Sequence, residues 1–85
     1  MRRLHIQCHA EGGHSWQHFG RPSAIHSLVR LGARLTALEV PRTPRTTFNI
    51  GLIQGGQSIN SLAAEAGFHL DMRSETSDAL AALEA

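Results

Sequence analysis

The sequence predicts an α+β domain in which an antiparallel sheet is covered on one face by helix. Two periodicities predict this class. Apolar and polar residues alternate in three separate segments, which is typical of strands with one buried face. After the first of these segments, apolar residues recur every three or four positions, which is typical of an amphipathic helix. With 85 residues the chain is long enough for one small domain.

The three predicted strands each carry apolar residues at every second position. The first runs from Leu4 to Ala10. The second has its apolar face formed by Phe48, Ile50 and Leu52. The third has its apolar face formed by Ala66, Phe68, Leu70 and Met72, with Arg73 on the opposite face. Three such strands predict an antiparallel sheet with one covered face.

A helix is predicted from the N-cap Ser23 to about Leu38, because Pro41 prevents a longer one. Its apolar stripe consists of Ala24, Leu28, Leu31, Leu35 and Leu38, and is widened by Ile25, Val29 and Gly32. One sheet contact requires a narrower stripe. The excess width indicates either a second contact surface, such as the same helix of another copy, or a helix sunk deeply into its own sheet.

A second helix is predicted to begin at Ser77-Asp78 and to continue from Ala79 to Ala85. The predicted order is therefore β-α-β-β-α. A ferredoxin-like split βαβ module normally closes with a fourth strand after its second helix. We therefore predict such a module without its last strand, cut from a longer chain.

Composition argues against several classes of function. The formal net charge is +1, and the eight basic residues are scattered arginines, which argues against a nucleic-acid binder. No apolar run is long enough for a membrane span, and no signal peptide is recognisable, so a cytoplasmic protein is expected. The single cysteine, Cys8, excludes an intramolecular disulfide.

The loop Gly12-Gly13-His14 is the best candidate for chemistry. Two glycines allow unusual backbone conformations, and a neutral imidazole at the loop tip can donate a hydrogen bond to a developing oxyanion. The residues alone favour the simpler alternative, a solvated histidine in a connecting loop.

The other polar candidates have equally simple alternatives. Arg73 suits the carboxylate of a ligand, or an ion pair with Asp71 or Glu75. Asn60 follows a glycine pair and fits a turn. No metal site is predicted. His5 and His9 lie roughly 13 Å apart along a strand, and His14 and His18 have helical spacing in a segment whose flanking glycines disfavour a helix.

Four motifs occur in order along nearly the whole chain. They are Gly12-Gly13-His14-Ser15, Gly20-Arg21-Pro22-Ser23-Ala24-Ile25, Gly55-Gly56 with Asn60, and Leu70-Asp71-Met72-Arg73. Together they resemble the dimerisation, or lid, domain of the dizinc exopeptidase family. This family includes glutamate carboxypeptidase, aminoacylase, acetylornithine deacetylase and succinyl-diaminopimelate desuccinylase.

The resemblance implies a role for three residues. His14 matches the histidine that reaches into the partner subunit's active site, and Asn60 and Arg73 match the pair that holds the carboxylate end of the substrate. It also implies a homodimer formed through the first helix and an edge strand. The two zinc ions of the family would belong to a catalytic domain that is absent from this sequence.

The chain departs from the family pattern in three places. Ser23 replaces the usual asparagine, the usual proline is absent from Ser61-Leu62-Ala63, and the zinc-binding motifs of the catalytic half have no counterpart. The resemblance predicts a lid domain of a zinc-dependent peptidase or amidohydrolase that acts on peptides or N-acyl amino acids. A free-standing ferredoxin-like module that binds a small ligand is the alternative.

Overall fold

The computed structural model describes residues 1–77. In chain order it contains β1 (Arg2–His9), β2 (Gly13–His14), α1 (Ala24–Thr36), β3 (Thr46–Gly55), β4 (Ser61–Leu62) and β5 (Glu65–Ser74). The predicted segment Ala79 to Ala85 lies outside the described residues. The α+β class, with helix on one face of an antiparallel sheet, is confirmed, and the elements within residues 1–77 are consistent with a ferredoxin-like split βαβ module that lacks a last strand.

The main sheet has the order β1-β5-β3, and both pairings are antiparallel. The third predicted strand is therefore the central one. Its apolar residues Ala66, Phe68, Leu70 and Met72 are all buried, whereas His69 and Arg73 on the other face are exposed. One buried face and one exposed face confirm the predicted one-sided sheet.

Helix α1 covers the buried face of the sheet. Leu28 lies in the core beside Phe68, and Leu31 and Leu35 pack against the same core. The helix begins after Ser23, as predicted, although the Ser23 side chain makes no capping hydrogen bond. Instead, the Ala24 N–H donates to the Ala63 carbonyl at 2.9 Å, which fixes the start of the helix to the segment before β5.

The helix ends at Thr36, two residues before the predicted Leu38. Of the three residues that widen the apolar stripe, Gly32 faces the sheet, whereas Ile25 is 37% exposed and Val29 is 56% exposed. A helix sunk deeply into its own sheet would have buried both side chains. The structure thus leaves an apolar flank on α1 that the described part of this chain does not cover.

The prediction that Leu52 shares the buried face of β3 was wrong. The strand register shifts between Ile50 and Leu52, so that Ile50 lies opposite Leu70 but Leu52 lies opposite His69. Gly51 is the extra residue of this β-bulge, and a bulge moves the following side chain to the other face. Leu52 is accordingly 64% exposed.

Within residues 1–77, no helix is long and apolar enough to cross a membrane.

Candidate functional site: the glycine-histidine loop

The loop after β1 folds back onto the segment before β5. The Ala10 N–H donates to the Ala64 carbonyl at 2.8 Å, and Gly12 then adopts a φ of +82°. Gly13 follows with a φ of +142°, in a region that residues other than glycine rarely adopt. The two glycines therefore make the sharp change of direction that brings the next residues beside β4.

A two-stranded ribbon holds His14 beside the Asn60 loop. In the pairing of β2 with β4, Gly13 lies opposite Leu62 and His14 opposite Ser61. The Ser15 N–H then donates to the Asn60 carbonyl at 2.9 Å. Two of the three predicted site residues, His14 and Asn60, thus lie on neighbouring backbone segments.

The imidazole of His14 is held in one orientation by the backbone. Its Nδ1 accepts a hydrogen bond from the Trp16 N–H at 3.2 Å. An imidazole nitrogen that accepts carries no proton, so the proton of the neutral ring lies on Nε2. The His14 side chain is exposed and thus presents an N–H donor outwards.

The main chain of His14 makes two bonds to His18. The His14 N–H donates to His18 Nδ1 at 2.8 Å, and the His18 N–H donates to the His14 carbonyl at 2.9 Å. The spacing of four residues between the two histidines thus allows these hydrogen bonds to close a backbone turn. Sequence reasoning considered this spacing only as a metal pattern and missed the turn.

The side chain of Asn60 is oriented by a serine pair. Its Oδ1 accepts from Ser58 Oγ at 3.0 Å, and Ser58 Oγ lies 2.6 Å from Ser61 Oγ. The amide nitrogen of Asn60, with two N–H groups, makes no hydrogen bond within residues 1–77. A cleft of about 460 Å³ lies beside this loop and is bordered by Gly12, Gly13 and Gly56.

Arg73 lies far from the other two residues. It stands eight residues beyond Glu65, the first residue of β5, which at 3.3 Å per residue is roughly 26 Å. Its Nε donates to Asp71 Oδ2 at 2.9 Å, as the ion-pair alternative predicted. The other oxygen, Asp71 Oδ1, is 3.7 Å from Arg3 Nε. Within residues 1–77, Arg73 bonds only through Nε, so its two terminal nitrogens can meet a second carboxylate.

The described residues do not fit a zinc site. Within residues 1–77, no three His, Cys, Asp or Glu side chains come close enough to hold a metal ion. The exposed rings of His5 and His69 stack face to face with their centroids 4.1 Å apart. Nitrogen lone pairs lie in the ring plane, so parallel stacked rings do not point at one ion.

This fold defines a small α+β module with an exposed histidine on a ribbon beside a one-sided sheet. The chain belongs to the family described as the Peptidase dimerisation domain, whose model matches residues 1–85. The predicted family is therefore confirmed. None of the curated proteins compared with the chain matches it in sequence.

Solved structures show the same fold. The aminobenzoyl-glutamate utilization protein of Klebsiella pneumoniae is similar over 96% of this chain and 21% of its own, with a TM-score of 0.88 and 16% identity. The hydantoinase/carbamoylase family amidase of Burkholderia ambifaria is similar over 98% of this chain and 21% of its own, with a TM-score of 0.87 and 21% identity. The amidase of the same family from Burkholderia phymatum is similar over 98% of this chain and 22% of its own, with a TM-score of 0.82 and 21% identity. This chain thus spans about a fifth of their length.

Proposed function

We propose that this chain is the dimerisation and substrate-contacting lid domain of a longer zinc-dependent peptidase or amide hydrolase. In this proposal His14 of one subunit contacts the scissile carbonyl in the active site of the other. The observation that carries the proposal is the exposed His14 ring whose Nδ1 accepts from the Trp16 N–H. Its Nε2–H is the kind of fixed donor that stabilises an oxyanion.

Self-association is supported by two exposed features. The flank of α1 formed by Ile25 and Val29 is apolar and partly exposed within residues 1–77, at 37% and 56%. Strand β3 pairs only with β5 in the same range, so one edge of β3 has unpaired backbone groups. An apolar flank and a free strand edge are both surfaces that a second copy can cover.

The substrate contacts are divided between two copies in this proposal. Arg73 lies roughly 26 Å along β5 from Glu65, and Asn60 precedes this first residue of β5, so in this proposal Asn60 and Arg73 of one copy do not hold the same carboxylate. His14 and Asn60 of one copy would therefore meet the substrate from one side. Arg73 from the other copy would meet the carboxylate with its terminal nitrogens, while Asp71 orients its guanidinium through Nε.

The zinc ions of this proposal belong to a catalytic domain outside the present sequence, because residues 1–77 contain no ligand cluster. The relatives whose fold this chain shares are amidases and a utilization protein for aminobenzoyl-glutamate. From these relatives we take only the class of bond that the parent enzyme would cleave, an amide. We propose peptides or N-acyl amino acids as its substrates.

The experiment is His14→Ala in the full-length protein, assayed on N-acyl amino acids. Loss of an oxyanion donor lowers turnover by about 100- to 1,000-fold. We expect kcat to fall by this amount with little change in KM, since the donor acts mainly on the transition state. His9→Ala at the exposed end of β1 is the control. An unchanged kcat in His14→Ala would refute the role of His14.

A further inference from the structure

We propose that His18 is a positioning residue for His14, acting through an imidazole nitrogen that accepts the His14 main-chain N–H. The expected effect on catalysis rests on the proposed function of His14. The hydrogen bond between His18 and His14 does not depend on that function. His18 Nδ1 lies 2.8 Å from the His14 nitrogen, and the two residues are linked a second time by the His18 N–H to His14 carbonyl bond of 2.9 Å.

The ring of His18 is turned into the loop while its neighbours are turned out. Trp16 is 87% exposed and Phe19 is 90% exposed, whereas His18 is half-buried. A Cβ atom added to Gly13 would lie 2.8 Å from His18 Nδ1 and 3.1 Å from His18 Cγ. The glycine thus leaves the space that the His18 ring occupies. The absence of a side chain at Gly13 is therefore required for the inward position of the His18 ring.

The acceptor function defines the chemical state of His18. Its Nδ1 accepts, so in this arrangement the ring is neutral with its proton on Nε2. The same lone pair would be required for a metal ion bound at Nδ1. The hydrogen bond therefore gives Nδ1 a structural task and excludes simultaneous metal ligation by that atom.

The bond from the His14 N–H adds to the pairing of β2 with β4, which holds the other side of this segment. Two glycines precede His14, and both have positive φ angles. Fixing the His14 nitrogen fixes the direction of its Cα–Cβ bond, and the Trp16 N–H then fixes the ring. Through these steps His18 determines where the His14 Nε2–H points, without touching a substrate.

The test compares two substitutions of His18 in the full-length protein. In His18→Asn, the amide Oδ1 stands at the same number of bonds from Cβ as Nδ1 and can accept the same hydrogen bond. In His18→Leu, the branching is the same but the acceptor is absent. His9→Leu, at the exposed end of β1, controls for the loss of a histidine elsewhere.

We expect His18→Leu to lower kcat by roughly five- to tenfold, the effect of one neutral hydrogen bond, with KM changed by less than about twofold. His18→Asn should restore kcat to within about twofold of the parent protein. Equal kcat values in the parent and in His18→Leu would overturn the inference. Equal losses in the Leu and Asn variants would also overturn it, because the ring and not its acceptor would then matter.

A second readout needs no activity. In full-length protein labelled with ¹⁵N at histidine, we expect the His14 ring to be in the Nε2–H form and the His14 amide to exchange slowly. In His18→Leu the His14 amide should exchange faster by at least about fivefold, while His18→Asn keeps its protection. Unchanged exchange in His18→Leu overturns the positioning role. If the parent protein hydrolyses no amide, the proposed function fails and this exchange measurement decides the inference alone.

Discussion

Replacing Gly32 by alanine should stabilise the domain. Gly32 lies within α1 and faces the sheet. A Cβ atom added there would be 3.7 Å from Ile50 Cδ1 and 3.8 Å from Phe68 Cε2, which are ordinary van der Waals distances. The substitution therefore adds a methyl group to an interface that has room for it.

The expected gain follows from helix propensity. Glycine is about 0.8–1.0 kcal/mol less favourable than alanine in a helix interior. The added contacts with Ile50 and Phe68 contribute a few tenths of a kcal/mol more, at about 0.1–0.2 kcal/mol for each atom pair. The free energy of unfolding should thus rise by about 1 kcal/mol, and for a domain of this size Tm should rise by about 4–8 °C.

The assay is urea denaturation and thermal melting of Gly32→Ala beside Gly55→Ala. A Cβ atom on Gly55 would lie 2.7 Å from Ala66 Cβ, 3.0 Å from Ala66 Cα and 3.1 Å from the Glu65 carbonyl oxygen. These are atoms of the central strand, so Gly55→Ala should destabilise the domain by about 1–3 kcal/mol. Loss of stability in Gly32→Ala would refute the placement of α1 over the sheet.

Three further substitutions test the strand and the loop. Ile50→Ala should cost about 2 kcal/mol of stability and Leu52→Ala less than about 1 kcal/mol, because the bulge points Leu52 away from the core. Equal costs in denaturation experiments would contradict the bulge. Gly13→Ala should lower kcat of the full-length protein about tenfold while circular dichroism stays unchanged, since alanine strains the backbone at a φ of +142° and its methyl group displaces the His18 ring. An undiminished kcat would show that the loop tolerates this displacement.

The main sheet and helix could be predicted from the sequence because their periodic patterns are long. Strand β5 alternates through its full length, and its apolar row from Ala66 to Met72 is buried. The position of Leu52 could not be predicted in this way. Alternation continues from Phe48 through Ile50 to Leu52, and only the register with β5 shows the inserted residue at Gly51.

The ribbon formed by β2 and β4 could not be predicted, because each strand has only two residues. Two residues carry no periodicity, and their pairing depends on contacts between loops that lie far apart in the sequence. The candidate residues His14, Asn60 and Arg73 were chosen by resemblance to a family. Their arrangement, with His14 near Asn60 and Arg73 at the far end of β5, required the structure.

The central claim is that His14 acts on the active site of the partner subunit. The most direct measurement is the amide hydrolase activity of mixed dimers of the full-length protein. One subunit carries His14→Ala and the other has a catalytic domain inactivated by substitution. If His14 acts across the dimer, random mixing should give about a quarter of the parent activity, since half of the dimers have one complete site. Activity no higher than that of the two separate variants would contradict the claim.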